Sequence, residues 1–188
     1  MKKSLNILIG GEAGQGLVTI GDLLSESLVR SGYHIVVTQS YQSRIRGGHN
    51  IYMVRVSTDQ ISAPRESIDI LVALDQNTLT LHQNEVSPKG VILIGQGFLC
   101  DGDSCLKVPY KELSSDRYSN VVALGVLGAL LGLGQEWLLK TLHDFFGKKD
   151  SKVAEENRQA LLDAFKWGLQ VGMSAFFAKL SNFHSSIF

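Results

Sequence analysis

The apolar positions along the chain form two kinds of pattern: uninterrupted runs, and stripes at helical spacing. The run from Leu5 to Ile9 predicts a buried first strand. A stripe with helical spacing comes next and predicts a helix with one apolar face, which ends at Gly32. The stripe comprises Leu17, Ile20, Leu24 and Leu28. Residues 34–38 predict a second strand, so the chain opens with a strand–helix–strand unit whose crossover should be right-handed.

Similar patterns continue along the rest of the chain. Residues 51–57 alternate between apolar and polar side chains, as a half-buried strand does. Further strands are predicted at 68–74, 91–94 and 106–108, and helices at 77–85, 118–133, 135–146 and 151–171. Together these elements predict an α/β fold, a three-layer, Rossmann-like domain with a largely parallel central sheet and a helical C-terminal third.

One predicted helix is apolar on every face. Residues 121–133 contain no charged or polar side chain, and a helix of this kind must be covered on all sides. The sheet of a small domain covers only one side, so a subunit or domain interface is favoured over a central core helix. Several apolar residues of the tail, residues 173–188, also favour an interface. They are Phe176, Phe177, Leu180 and Phe183. The tail itself is interpreted as a native end or a linker.

Composition limits the class of protein. A chain of 188 residues fits one domain with a short appendage, and its 18 basic residues balance 18 acidic ones. Without a basic excess, nucleic acid is not an expected partner. The longest apolar stretch, 121–134, is shorter than the roughly 20 residues that span a bilayer, so no membrane association is expected. Two cysteines and no visible secretory leader indicate a cytoplasmic protein.

A glycine loop joins the first strand to the first helix. Its candidate binding residues are Gly10, Gly11, Gly14, Gln15 and Gly16. A helix N-terminus behind such a loop offers free N–H groups and a positive dipole end to an anion. The spacing matches neither the G-x-G-x-x-G dinucleotide motif nor a phosphate-binding P-loop, and no acidic residue ends the second strand. A tight turn that binds no ligand remains an equal alternative.

The second candidate site is the arginine segment, residues 40–50, which leaves the carboxyl end of the second strand. Its candidate residues for a substrate, a cofactor or an interface are Tyr41, Ser43, Arg44, Arg46, Gly47, Gly48, His49 and Asn50. Arg44 and Arg46 are two positions apart, so an extended backbone points both to one face, where they could bind an anion. A solvated loop is the alternative. For His49 a structural or loop-orienting role is favoured over that of a catalytic base.

The sequence contains only weak signals for metal binding, redox chemistry or nucleophilic catalysis, and no catalytic residue is firmly assigned. Cys100 and Cys105 form a C-x₄-C pair, for which a surface turn is favoured over a metal site or a redox-sensitive thiol pair. The five histidines are scattered without ligand spacing, and there is no G-x-S-x-G motif. No metal site is therefore predicted.

The two loops together resemble a known family. Residues 10–16 with their helix, and residues 41–49 after them, look like the gamma subunit or gamma domain of 2-oxoacid:ferredoxin oxidoreductases. Residues 120–125 resemble the start of a helix in that family, and Glu156, Asn157, Ala160, Phe165 and Gly168 resemble its C-terminal helix. The resemblance thus covers residues 5–172, and it implies a gamma-type domain at 1–172 followed by a tail or linker.

The resemblance implies a part of a multisubunit enzyme that is inactive in isolation. The complete enzyme oxidatively decarboxylates a 2-oxoacid, with 2-oxoglutarate favoured, to its acyl-CoA and passes electrons to ferredoxin. Thiamine diphosphate, Mg²⁺, iron–sulfur clusters and coenzyme A belong to the complete enzyme, and none is expected to be bound by this chain alone. The implied partners are alpha and beta subunits, with a delta subunit and a homodimer as further candidates.

Three alternatives remain open from the sequence. One is the small subunit of an indolepyruvate oxidoreductase, which performs the same chemistry on an aryl substrate. Another is a free-standing module that binds a phosphate or a nucleotide, and the third is a scaffold that only completes quaternary packing. Nucleotide binding by the isolated chain would favour the module, and tolerance of arginine loss would favour the scaffold.

Overall fold

A six-stranded sheet forms the centre of the computed structural model, which describes residues 4–41, 48–100, 102–147 and 151–171. The strands are β1 (Ser4–Glu12), β2 (His34–Tyr41), β3 (His49–Ser57), β4 (Ile68–Ala73), β5 (Val86–Gly95) and β6 (Cys105–Val108). Every predicted strand is present, and all of them except β4 are longer than predicted. Their order across the sheet is β2-β3-β1-β4-β5-β6.

Strand β3 lies between β1 and β2, a position that the sequence patterns do not indicate. Strands β1, β4, β5 and β6 are parallel neighbours, whereas β3 pairs antiparallel with both β1 and β2. The two strands of the opening strand–helix–strand unit therefore do not pair with each other. The connection from β2 to β3 is short, and short connections favour antiparallel neighbours. The prediction of a largely parallel sheet is confirmed.

Helices cover both faces of the sheet. They are α1 (Leu17–Arg30), α2 (Gln76–His82), α3 (Tyr110–Leu113), α4 (Ser119–Leu130), α5 (Gln135–Phe146) and α6 (Ser151–Val171). Leu79 of α2 packs with Leu8 and Leu71 on one face, while α1, α4, α5 and α6 share the larger core on the other. The three-layer α/β fold is thus confirmed. Within the described residues, no helix combines the length and the hydropathy that crossing a bilayer requires.

Helix α4 is covered by the chain's own elements, so its interpretation as an interface helix was wrong. Residues 121–130 are all buried, and they pack mainly against α6. The two helices approach closely through glycines: a Cβ on Gly125 would lie 2.7 Å from the carbonyl oxygen of Leu161, and one on Gly168 would lie 2.8 Å from Cβ of Ala129. The apolar tail lies outside the described residues.

The connection between β5 and β6 is a surface turn closed by a disulfide between Cys100 and Cys105. The Cα atoms of this pair are 6.4 Å apart, within the usual range for a disulfide. The side chain of Gln76 on α2 accepts a hydrogen bond from the backbone N–H of Leu99 at 2.9 Å and donates one to its carbonyl at 3.3 Å. The two hydrogen bonds hold the 96–100 segment against α2, and the disulfide joins its end to the start of β6.

Candidate functional site

The glycine loop turns the chain from β1 into α1 at the carboxyl edge of the sheet. Gly14 and Gly16 have φ angles of 100° and 78°, in the left-handed region where a side chain is strained. Gln15 stabilises the turn, because its Oε1 accepts a hydrogen bond from the backbone N–H of Glu12 at 2.9 Å. The turn leaves open space beside Gly14, where a Cβ would have no neighbour within 4 Å.

The other glycines of the loop are explained by packing. A Cβ on Gly10 would collide with the Thr78 side chain of α2, and one on Gly11 would lie 3.1 Å from Cβ of Leu74. A Cβ on Gly16 would lie 2.7 Å from Nδ2 of Asn120, at the start of α4. The loop therefore lies close to the starts of both α2 and α4. Close packing accounts for these glycines whether or not a ligand binds.

The glycine loop meets residues 48–50, the last described part of the arginine segment. Tyr41 ends β2 opposite Asn50 of β3, and Glu12 of β1 lies opposite His49. The backbone N–H of Ala13 donates to the carbonyl of Gly48 at 3.1 Å. The two candidate loops therefore contact each other at these residues. Ser43, Arg44, Arg46 and Gly47 lie outside the described residues, so their roles stay predictions.

A cavity of about 590 Å³ opens at the same edge. Its walls come from the segments that follow β1, β4, β5 and β6, which is where open α/β sheets bind ligands. The lining residues are Gln15, Leu74, Gly95, Gln96, Gly97, Phe98, Val108, Tyr110, Lys111, Ser119 and Asn120. Sequence reasoning singled out Gln15 as a binding residue and missed the wall after β5 and β6. The signal that could have found it is the position of these residues just after two predicted strands.

The polar groups of the cavity suit an elongated anionic ligand with an apolar part. Lys111 supplies a positive charge, and α4 begins at Ser119 in the cavity wall. The hydroxyl of Tyr110 is buried and has no hydrogen-bond partner among the described residues, and burial raises the pKa of this phenol far above its usual value. Phe98 and Val108 add apolar surface. The cavity is therefore a candidate binding crevice, and no group of three metal-ligating side chains lies together in the described residues.

Beside the glycine loop, three side chains form a hydrogen-bonded chain. Nε2 of His49 lies 2.9 Å from Nε2 of His82 on α2, and Nδ1 of His82 lies 2.9 Å from a carboxylate oxygen of Glu85. Burial, and next the proximity of His82, lower the pKa of His49, while the charge of Asp75 acts in the opposite direction. No local sequence pattern indicates this pairing, because 33 residues separate the two histidines.

The lowered pKa of His49 predicts a loss of stability in acid. The unfolded chain binds the proton at the ordinary pKa near 6.5, above that of the folded chain, so the stabilisation is present above that pH and is lost as the pH falls below it. The free energy of unfolding should therefore decrease less in His49→Gln than in the wild type between about pH 7.5 and 5.5. Urea denaturation measures this difference. His34→Gln, at an exposed position, is the control, and identical pH profiles for His49→Gln and wild type would contradict the prediction.

Comparison with known proteins identifies the family. The family model described as pyruvate ferredoxin/flavodoxin oxidoreductase matches residues 6–167. The 2-oxoglutarate synthase subunit KorC of Archaeoglobus fulgidus is 29% identical over 177 residues, an alignment that covers 91% of each chain. The region matched by the family model contains both loops and every residue that lines the cavity.

Solved structures with the same fold include isolated subunits and a larger chain. The keto/oxoacid ferredoxin oxidoreductase gamma subunit of Geobacter sulfurreducens matches with a TM-score of 0.72 and 24% identity, over 90% of this chain and 98% of that one. The 2-oxoglutarate:ferredoxin oxidoreductase of Magnetococcus marinus, solved with 2-oxoglutarate, coenzyme A and succinyl-CoA bound, matches with a TM-score of 0.78 and 27% identity. That match covers 93% of this chain and 32% of the Magnetococcus chain. The chain belongs to the pyruvate ferredoxin/flavodoxin oxidoreductase family.

Proposed function

We propose that this chain is the gamma subunit or gamma domain of a 2-oxoacid:ferredoxin oxidoreductase that acts on 2-oxoglutarate. The complete enzyme would convert the 2-oxoacid and coenzyme A to an acyl-CoA and CO₂ and pass the electrons to ferredoxin. Similarity along nearly the whole length of a 2-oxoglutarate synthase subunit supports this choice of substrate. Residues 1–172 would form the domain, and residues 173–188 a tail or linker.

The crevice at the carboxyl edge of the sheet carries the proposal. It combines Lys111, the start of α4 and Gln15 of the glycine loop, and the arginine segment ends beside that loop, where Gly48 accepts a hydrogen bond from Ala13. Coenzyme A carries several phosphates on an elongated, partly apolar molecule. Arg44 and Arg46 would add charge-assisted hydrogen bonds to those phosphates. This chain would therefore bind and orient coenzyme A at an active site that other subunits complete.

The remaining cofactors do not fit the residues of this chain. A cubane iron–sulfur cluster is held by four thiolates, whereas the chain has two cysteines and they are joined to each other. We therefore assign the clusters, and thiamine diphosphate with its Mg²⁺, to partner subunits or domains. Under this proposal the isolated chain has no turnover.

Purification of the native assembly tests the proposal. The tagged chain, purified under anaerobic conditions, should bring with it subunits that contain thiamine diphosphate and iron–sulfur clusters. The complex should reduce ferredoxin only when both coenzyme A and a 2-oxoacid are present, with the highest kcat/KM for 2-oxoglutarate. A preference for indolepyruvate would overturn the substrate assignment. Tight binding of ATP or NAD by the isolated chain, without co-purifying subunits, would overturn the whole proposal.

A further inference from the structure

The chain of His49, His82 and Glu85 has a fixed hydrogen-bonding direction. The Glu85 carboxylate can only accept, so Nδ1 of His82 must carry the proton in that contact. A neutral His82 then has a bare Nε2, which accepts from Nε2–H of His49. It follows that a neutral His49 has a bare Nδ1. This atom is buried, and within the described part of the chain it has no hydrogen-bond partner.

One added proton reverses the direction of the hydrogen bond between the two histidines, while the heavy atoms stay in place. The Glu85 carboxylate stabilises the cation on His82, whose Nε2–H then donates to Nε2 of His49. His49 stays neutral in that state, but its proton moves to Nδ1. A second proton would place two N–H groups in the 2.9 Å contact between the rings, so the contact persists with one proton at most.

The surroundings favour a single cation on this pair. Glu85, in the turn after α2, bonds His82, and the charge of Asp75, in the turn after β4, acts on His49. Glu12 is the residue of β1 that pairs with His49 in the sheet. Oδ2 of Asp75 is also buried and has no partner among the described residues. It cannot bond a bare Nδ1 of His49, because both atoms are acceptors.

We propose that Glu85, His82 and His49 form a proton-linked chain in which one added proton changes Nδ1 of His49 from a hydrogen-bond acceptor into a donor. The change occurs where the glycine loop and the arginine segment meet, because Gly48, the residue before His49, accepts the hydrogen bond from Ala13. His82 acts as a positioning residue, since it sets the tautomer of His49 from α2. The lowered pKa of His49 agrees with this assignment, because His49 stays neutral in both states.

The consequence for ligand binding rests on the proposed function. A donor and a positive charge beside the glycine loop favour an anion bound there, so coenzyme A should bind the assembled enzyme more tightly at mildly acidic pH and take up a proton as it binds. The proton-linked chain itself belongs to the residues of this chain alone. It can be tested on the full-length chain without ligand or partner.

Long-range ¹H–¹⁵N NMR spectra of the ¹⁵N-labelled chain report the imidazole tautomers directly. At high pH we expect His82 in the Nδ1–H form and His49 in the Nε2–H form, each preferred about tenfold because of its hydrogen bond. As the pH falls, His82 should become an imidazolium while His49 stays neutral and changes to the Nδ1–H form. In Glu85→Gln, an exposed substitution, the exchange should move to lower pH, whereas His34→Gln should leave it unchanged.

The outcomes of the two experiments can be separated. A His82 found in the Nε2–H form at high pH, or two histidines that titrate without a change in the His49 tautomer, would overturn the inference even if coenzyme A binds. The observed tautomer exchange together with pH-independent affinity for coenzyme A in the assembled enzyme would retain the proton-linked chain and overturn its link to the ligand. Absence of any coenzyme A binding would count against the proposed function alone.

Discussion

Replacing Gly125 with valine is expected to lower the free energy of unfolding by about 3 kcal/mol or more, because the side chain has no room between α4 and α6. The Cβ alone would lie 2.7 Å from the carbonyl oxygen of Leu161, 2.8 Å from Cβ of Ala164 and 3.1 Å from the backbone nitrogen of Phe165. Two of these atoms belong to the backbone of α6, so the helices must separate. The separation would open the larger core at its centre. Urea denaturation of the purified chain measures the loss.

Two further variants locate the cause of this loss. Gly125→Ala should destabilise by less than the valine variant, because it adds only the Cβ and because the better helix propensity of alanine returns up to about 1 kcal/mol. Gly97→Ala is the matched control, because a Cβ there would have no neighbour within 4 Å. Equal stability of the Gly125→Val and Gly97→Ala variants would show that α4 and α6 do not pack as described.

Removing the Arg46 guanidinium should lower kcat/KM for coenzyme A by roughly 10- to 150-fold in the assembled enzyme. A charge-assisted hydrogen bond contributes about 1.5–3 kcal/mol, which corresponds to that range. Arg46 lies outside the described residues, but its segment is held at both ends, by Tyr41 opposite Asn50 and by Gly48 bonded to Ala13. Steady-state kinetics of Arg46→Ala with coenzyme A as the varied substrate measure the effect.

The pattern of the kinetic change identifies the group that Arg46 binds. A higher KM for coenzyme A supports the proposed contact with its phosphates, and a higher KM for the 2-oxoacid alone would assign Arg46 to the substrate carboxylate instead. Arg158→Ala, at an exposed position on α6, should leave both values unchanged. Wild-type kinetics and undiminished co-purification of partner subunits in Arg46→Ala would rule out a role at a shared site.

Local sequence patterns predicted most helices and strands of this fold, but they did not predict which of these elements lie next to each other. The alternation in 51–57 correctly predicted β3, but periodicity records burial and not pairing, so it could not reveal that β3 separates β1 from β2. The apolar stretch that became α4 was correctly predicted to be covered on every side. Its partner was missed, because the fit of Gly125 and Gly168 between two helices depends on a crossing in three dimensions.

Only part of the candidate site was predicted from the sequence, and the reason is similar. Motif spacing identified the glycine loop and the arginine segment, since each is a continuous stretch of the chain. The crevice and the pairing of His49 with His82 assemble from segments far apart in sequence, and no local spacing records them. Short α3, which contributes Tyr110 and Lys111 to the cavity, has only four residues and no repeating pattern.

The insertion of β3 between β1 and β2 determines how the nascent chain can assemble. β1 is synthesised first, yet both of its neighbours, β3 and β4, emerge after β2. The β2–β3 ribbon is local, so closing it costs little chain entropy, and β1 must then dock beside a ribbon that already exists. Until then, the unpaired backbone N–H and C=O groups of the apolar strand β1 can pair with strands of other chains. Co-translational chaperones would therefore be expected to bind the segment Leu5 to Ile9.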